Sequence, residues 1–131
     1  MIDVSISLGE LVDKITILKI KQSMIKDADK LVNVKAELKH LTDAFDQYKK
    51  ERNIDVPVFL IDKLYSINLS LWNIEDSIRI KEREQDFGDE FVELARSVYL
   101  TNDQRFDTKR QINLYDSASF QEQKSYESYD A

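Results

Sequence analysis

No cysteine occurs in the chain, which excludes disulfides, thiolate metal sites and a cysteine nucleophile but says little about compartment. Only two glycines, Gly9 and Gly88, and one proline, Pro57, punctuate the 131 residues. Strands joined by tight turns need many more such residues, so the punctuation argues for long helices. The single histidine, His40, excludes any site that needs two imidazoles from one subunit. No segment approaches the roughly 18 to 20 consecutive apolar residues that span a bilayer. The opening MIDVSISLGE has no basic stretch followed by a long apolar one. A cytoplasmic protein without membrane association is expected. A glycine-rich phosphate loop and a nucleophile elbow are both missing, and neither a metal nor an organic cofactor is expected.

Positive charge is in the minority. Nineteen Lys and Arg face 25 Asp and Glu, and the formal charge of −6 repels phosphate backbones at long range, so nucleic acid is not an expected partner. What is abundant is apolar residues, 42%, beside 34% charged ones, as in a folded domain whose helices each carry one wet face. The length suits one compact unit.

The apolar residues recur at alternating three and four positions, the period of a helix with one buried stripe. Ser7 and Glu10 form a capping-box pattern for a first helix with the stripe Leu8, Leu11, Ile15, Leu18, Gln22 and Ile25, which Val12 widens. Asp27 or Asp29 suits the cap of a second, with Leu31, Val34, Leu38, Leu41, Phe45 and Tyr48 inward. Set antiparallel about Ala28, the two stripes match as an αα-hairpin requires. Pro57 fits the first turn of a third helix along Leu60, Leu64, Ile67, Leu71, Ile74 and Ile78. Asp86 or Asp89 would cap a fourth, with Phe91, Leu94 and Val98, then the polar Thr101, Arg105 and Thr108, then Ile112 and Tyr115. The alternative is a break at Leu100–Asp103 with Thr101 or Asn102 capping a separate fifth helix. The expected architecture is all-α: two antiparallel αα-hairpins forming a four-helix bundle over residues 1–115, with a partly ordered C-terminal segment over 116–131 on which Phe120 and Tyr126 are the docking candidates.

The polar middle of the fourth stripe is the candidate site. Folding the fourth helix onto the third brings Arg105 near Ile67 and Asn68. Asn68, Trp72, Glu75, Arg79 and Glu82 share one side of the third helix, with Asp76 beside them. Either these residues form a hydrogen-bonded network that fixes helix register, since a buried charge must be paired, or they line a pocket between the third and fourth helices. In the pocket reading Arg79, Arg96 or Arg105 grips a carboxylate or phosphate against the Trp72 wall. Arg96, Asp103 and Arg110 fall at seven-residue intervals, with Lys109 adjacent, and read either as solvated ion pairing or as an anion site. Two weaker patterns, Glu37 with His40 and Glu90 with Glu93, have the spacing of di-iron and magnesium ligands but lack the second pair each needs. Ile17, Ile20 and Met24 widen the first helix's apolar face and point to a homodimer or another protein partner.

The blocks SLGELVDKITILKIK, LWNIEDSIR, FVELARSVYLTNDQRFDTKRQIN and EQKSY, in that order, resemble a small bacterial and phage domain family of unknown function over nearly the whole chain. The resemblance implies a domain that stands alone or beside glycan-biosynthesis domains, without an assigned activity. It marks Asp13, Lys14, Trp72, Glu75, Asp76, Arg79, Arg96, Tyr99, Asn102, Asp103, Arg105, Lys109 and Arg110 as matching the family's polar pattern. Those from Trp72 onward, together with Asn68 and without Asp13 and Lys14, give the candidate ligand-binding set. The functional expectation is a non-enzymatic interaction or accessory module with an anion-binding pocket. The alternative is a small enzyme or binding protein for a phosphorylated or carboxylated metabolite such as a nucleotide-sugar.

Overall fold

The computed structural model describes residues 1–130; Ala131, the last residue of the expected C-terminal segment, lies outside them. Among the described residues there are four α-helices and no strand: α1 (Leu8–Met24), α2 (Ala28–Arg52), α3 (Val58–Arg83) and α4 (Asp89–Asn113). α4 runs unbroken through Leu100–Asp103, so the five-helix alternative does not occur.

The helix ends follow local chemistry, with three departures from expectation. Ser7 Oγ accepts from the Glu10 amide at 3.2 Å, but the Glu10 carboxylate does not turn back to complete the box, because Lys109 holds it at 2.9 Å. Asp27 caps α2 through the Lys30 amide, and α2 ends on Asn53 in the left-handed region (φ 52°), which asparagine tolerates. Pro57 stands one position earlier than expected, as the N-cap of α3, where its carbonyl accepts from Leu60 and Ile61. The α4 N-cap is Gly88 rather than an aspartate. Asp86 instead ties the preceding turn by accepting from the Gly88 amide and binding Lys81.

Both expected hairpins form, and α1 joins them into one bundle. It packs against all three other helices, α3 packs on α4, and α2 rests on α1. The core lies at the end where α1 begins: Leu8, Val12 and Ile15 meet Phe45, Val56, Leu60, Leu64 and Ile112. Each such side chain, fully buried, contributes about 1.5–3 kcal/mol relative to exposure. Burial in α3 and α4 is confined to Leu60–Asn68 and Thr108–Asn113, so their other halves form an open two-helix arm ending at Phe87.

α1 and α4 approach closely at Gly9. Its amide donates to Asn113 Oδ1 at 2.6 Å, and a β-carbon there would collide with the Lys109 carbonyl and stand 2.8 Å from Asn113 Oδ1. Ile20, one of the residues expected to face a second copy, is 1% exposed within the chain. The C-terminal segment returns along α4, but Phe120 and Tyr126 do not anchor it; both are largely exposed. Its ties are mainly polar: Ser119 accepts from the Leu8 amide, Glu122 holds Lys109, and Lys124 and Tyr129 reach Asp103, with the Tyr129 ring set against Tyr99 at 5.4 Å.

Candidate functional site

α1 carries a second buried face that its apolar stripe does not announce. Asp13 and Thr16 are 1% and 0% exposed. Arg105 of α4 donates from Nε to Asp13 Oδ1 at 2.9 Å and from Nη2 to Oδ2, a two-pronged pairing of planar groups. Asn68 of α3 donates from Nδ2 to Asp13 Oδ1 and to Thr16 Oγ1, each at 2.9 Å. The Thr16 hydroxyl donates to the Asp13 backbone carbonyl. Three helices therefore converge on one carboxylate. The bond to Asp13 raises the Arg105 guanidinium further above its ordinary value, outweighing the opposing effect of burial. One turn along α4, Lys109 is also buried; burial pushes its ammonium down, and the carboxylates of Glu10 and Glu122, each 2.9 Å away, more than reverse this. Among the described residues no buried side-chain nitrogen or oxygen lacks a partner.

Arg105 also borders a groove of about 420 Å³. Asn68, Trp72, Glu75, Asp76 and Arg79 join it there, so six of the expected site residues share one concavity. The expected opposite wall was α4; the observed one is α1, through Ile17, Ile20 and Lys21. The reason is that α1 lies in the notch between α3 and α4 and covers the seam from which those side chains were expected to open. Leu71, Trp72, Ile17 and Ile20 give the groove an apolar body with charge at its rim. Arg79 bonds Glu75 at 3.2 Å as an exposed pair one helical turn apart.

The remaining candidates gather where the C-terminal segment crosses α4. Asn102 and Lys109 line a cavity of about 470 Å³ with Arg105, Phe106 and residues 122–126. Tyr99, Asn102 and Asp103 line a neighbouring one of about 780 Å³. Asp103 is the latch: Lys124 and the Tyr129 hydroxyl, at 2.7 Å, hold its carboxyl below the usual carboxylate range, Lys124 contributing most. Lys124 lies between the rings of Phe106 and Tyr126, 5.2 and 5.6 Å from their centres.

Arg96, Arg105 and Arg110 do not converge. Arg96 pairs with Glu93 on the open arm, and Arg110 lies over the Phe106 ring at 5.7 Å. Glu90 is taken by Lys81, whose ammonium Glu90 and Asp86 push up to about 12. Among the described residues no three carboxylate or imidazole side chains converge as a metal site would require. His40 is exposed on α2.

One polar centre escapes the sequence reading. Asp116 is 3% exposed and accepts from the Tyr48 hydroxyl at 2.6 Å, the Ser119 hydroxyl and the Ala118 amide, with Arg52 at 3.5 Å. Burial pushes its carboxyl up, and these donors together bring it below its ordinary value. The available signal was the run Asp116-Ser117-Ala118-Ser119, in which an aspartate followed by a serine three residues on can close a turn on itself.

No curated protein and no solved structure matches the chain. A family model does, over residues 2–130, which takes in the N-terminal extension, all four helices and the C-terminal segment. The chain therefore belongs to the family described as "Family of unknown function (DUF6165)".

Proposed function

We propose that this domain is a non-enzymatic binding module whose α1/α3 groove takes a ligand with an apolar or planar body and one anionic group, a carboxylate or a phosphate. The observation that carries the reading is the meeting of Trp72 with Arg79 and Arg105 on one concave surface. Trp72, Leu71 and Ile17 offer the apolar face. Arg105 is held in place by Asp13 through Nε and Nη2, and its Nη1 makes no hydrogen bond among the described residues. A guanidinium held in this way binds an anion with little further ordering cost. Binding rather than catalysis is favoured because the groove's carboxylates, Glu75 and Asp76, are exposed to solvent and no histidine or cysteine stands near to act as base or nucleophile.

Trp72 is the sole tryptophan, so its fluorescence reports on this groove alone. Titration with dicarboxylates, sugar phosphates and nucleotides should give a saturable change with one of these classes, with melting temperature rising in parallel. Arg79→Ala, at an exposed position, should weaken that response without altering the fold. Unchanged fluorescence and melting with every class at about millimolar ligand, where even weak sites of roughly −4 kcal/mol fill, would remove the proposal.

A further inference from the structure

Residues 1–6 precede α1 without helix or strand, and their backbone makes no hydrogen bond among the described residues. The first tie is at Ser7, whose carbonyl receives the Leu11 amide. From Ile2 to Ile6 apolar and polar residues alternate. Ile2, Val4 and Ile6 are 89%, 72% and 41% exposed, with Asp3 and Ser5 between them. Alternation with β-branched residues is the pattern of a strand with one covered face. An unpaired strand with an apolar face is an incomplete element, because its row of amides and carbonyls is a template for another strand. The chain has no strand among its described residues to complete it. The arm also lies within the span of the family model, so it belongs to the domain the family shares.

The arm is complementary to itself. In antiparallel pairing centred on Val4, Val4 faces Val4 and Ile2 faces Ile6 on one side, while Asp3 faces Ser5 on the other. Centring on Asp3 instead, or pairing in parallel register, sets Asp3 against Asp3, which is unfavourable. Centring on Ser5 avoids that clash but shortens the overlap. Val4 is thus the centre that gives the longest ribbon without a like-charge pair. A bare two-stranded ribbon is marginal in water and needs its apolar face covered. The end of the bundle from which the arm leaves also exposes Val58, Phe59 and Leu114, at 69%, 67% and 78%. These side chains supply apolar surface beside the arm that a ribbon could cover.

We propose that residues 1–7 pair antiparallel with the same residues of a second copy of this chain, giving a two-fold symmetric dimer joined by an intermolecular β-ribbon laid on the apolar ends of the two bundles. The two-fold axis passes beside Val4, as an isologous contact demands. This surface lies away from the α1/α3 groove, and the inference stands whether or not the groove binds an anion.

The absence of cysteine makes the test direct, since an introduced thiol is the only one present. In the full chain, Val4→Cys should form a disulfide-linked dimer on mild oxidation at least about tenfold faster than Ser23→Cys, an exposed control at the far end of α1, because paired arms hold the two thiols at high effective concentration. Sedimentation of the unmodified chain should give about twice the chain mass of 15.4 kDa. Val4→Asp, which sets two carboxylates against each other at the axis whichever way the amides point, should return it to one chain mass with helical circular dichroism unchanged. An unmodified chain that stays monomeric at about 100 μM, where mass action favours association, overturns the proposal. So does a dimer that survives Val4→Asp, or equal cross-linking rates at positions 4 and 23.

Discussion

Truncating Asp13 to alanine tests whether the polar seam holds the helices together. The carboxylate accepts two bonds from Arg105 and one from Asn68 while 1% exposed. Removing it leaves a guanidinium whose side chain is 29% exposed without its hydrogen-bonded carboxylate, with only the weaker pull of Glu10 and Glu122 remaining, and an amide that keeps only Thr16. Breaking a buried pair from one side costs about 3–5 kcal/mol. Arg105 retains some access to water, which places Asp13→Ala near the lower figure, about 3 kcal/mol. At roughly 3–5 °C per kcal/mol for a chain of this length, the melting temperature should fall by about 10–15 °C. Thermal and urea unfolding followed by circular dichroism would measure both. The stronger test is a cycle with Arg105→Met. The double variant should be more stable than Asp13→Ala alone, because the stranded cation is gone, and the coupling should be about 1–3 kcal/mol. A loss below about 1 kcal/mol, the range of surface ion pairs, or strict additivity in the cycle, would show that the seam is not a buried network.

Gly9→Ala should cost about 1–3 kcal/mol by forcing α4 off α1 at the Lys109 carbonyl; an unchanged denaturation midpoint would contradict the packing described. Tyr48→Phe should cost about 1 kcal/mol and Asp116→Ala more, since the latter strands several donors at once; equal losses would mean that the other donors contribute nothing. Asp103→Asn should loosen residues 120–130 while leaving the bundle's melting temperature in place, seen as faster amide exchange and proteolysis confined to that segment; uniform loss of protection would instead make Asp103 part of the core. Asp103 and Asp116 both titrate below the ordinary carboxylate value in the fold, so their stabilisation is complete above that value. It is lost as pH falls through the lowered values. The C-terminal segment should therefore stay docked at neutral pH and detach under acid conditions, while Tyr129 and Tyr48, whose hydroxyls these carboxylates hold above their ordinary value, add a separate loss only under strongly alkaline conditions; a segment that docks more firmly as pH falls from neutral would carry the wrong sign.

The sequence reveals the parts of this fold that depend on the period of apolar residues. The α1 and α2 stripes, their Ser7 and Asp27 caps and the antiparallel hairpins all follow from spacing and from unpaired helix-terminal amides. It does not reveal the second face of α1. Asp13 and Thr16 fall where a wet face is expected, and periodicity treats a carboxylate alike whether water or Arg105 satisfies it. The resemblance marked Asp13 as a polar position yet could not show that it is buried. For the same reason spacing names the groove's polar residues but places them between α3 and α4: Ile17 and Ile20, which with Met24 widen the α1 stripe toward a partner, instead form the groove's α1 wall together with Lys21. In the C-terminal segment the expectation followed aromatic residues, whereas hydrogen bonds to Asp103, Lys109 and Leu8 hold the chain there and leave Phe120 and Tyr126 in solvent.

The polar seam also answers a problem the apolar stripes create. Leucine and isoleucine repeating at three and four positions allow α1 and its neighbours to slide by one turn, about 5.4 Å, and still meet apolar against apolar. The polar side of α1 does not allow it. A one-turn slip takes Asp13 from Arg105 and Asn68, sets Glu10 away from Lys109, and brings a side chain other than the Gly9 hydrogen under the Lys109 carbonyl. Each loss strands a desolvated charge or creates an overlap, so the penalty rises by several kcal/mol where the apolar contacts would change little. The network that spends Arg105 on Asp13 thus selects one alignment of three helices. That alignment is also what brings Trp72 and Arg79 of α3 opposite Ile17 and Ile20 of α1, so the groove exists only in the register the buried pair enforces.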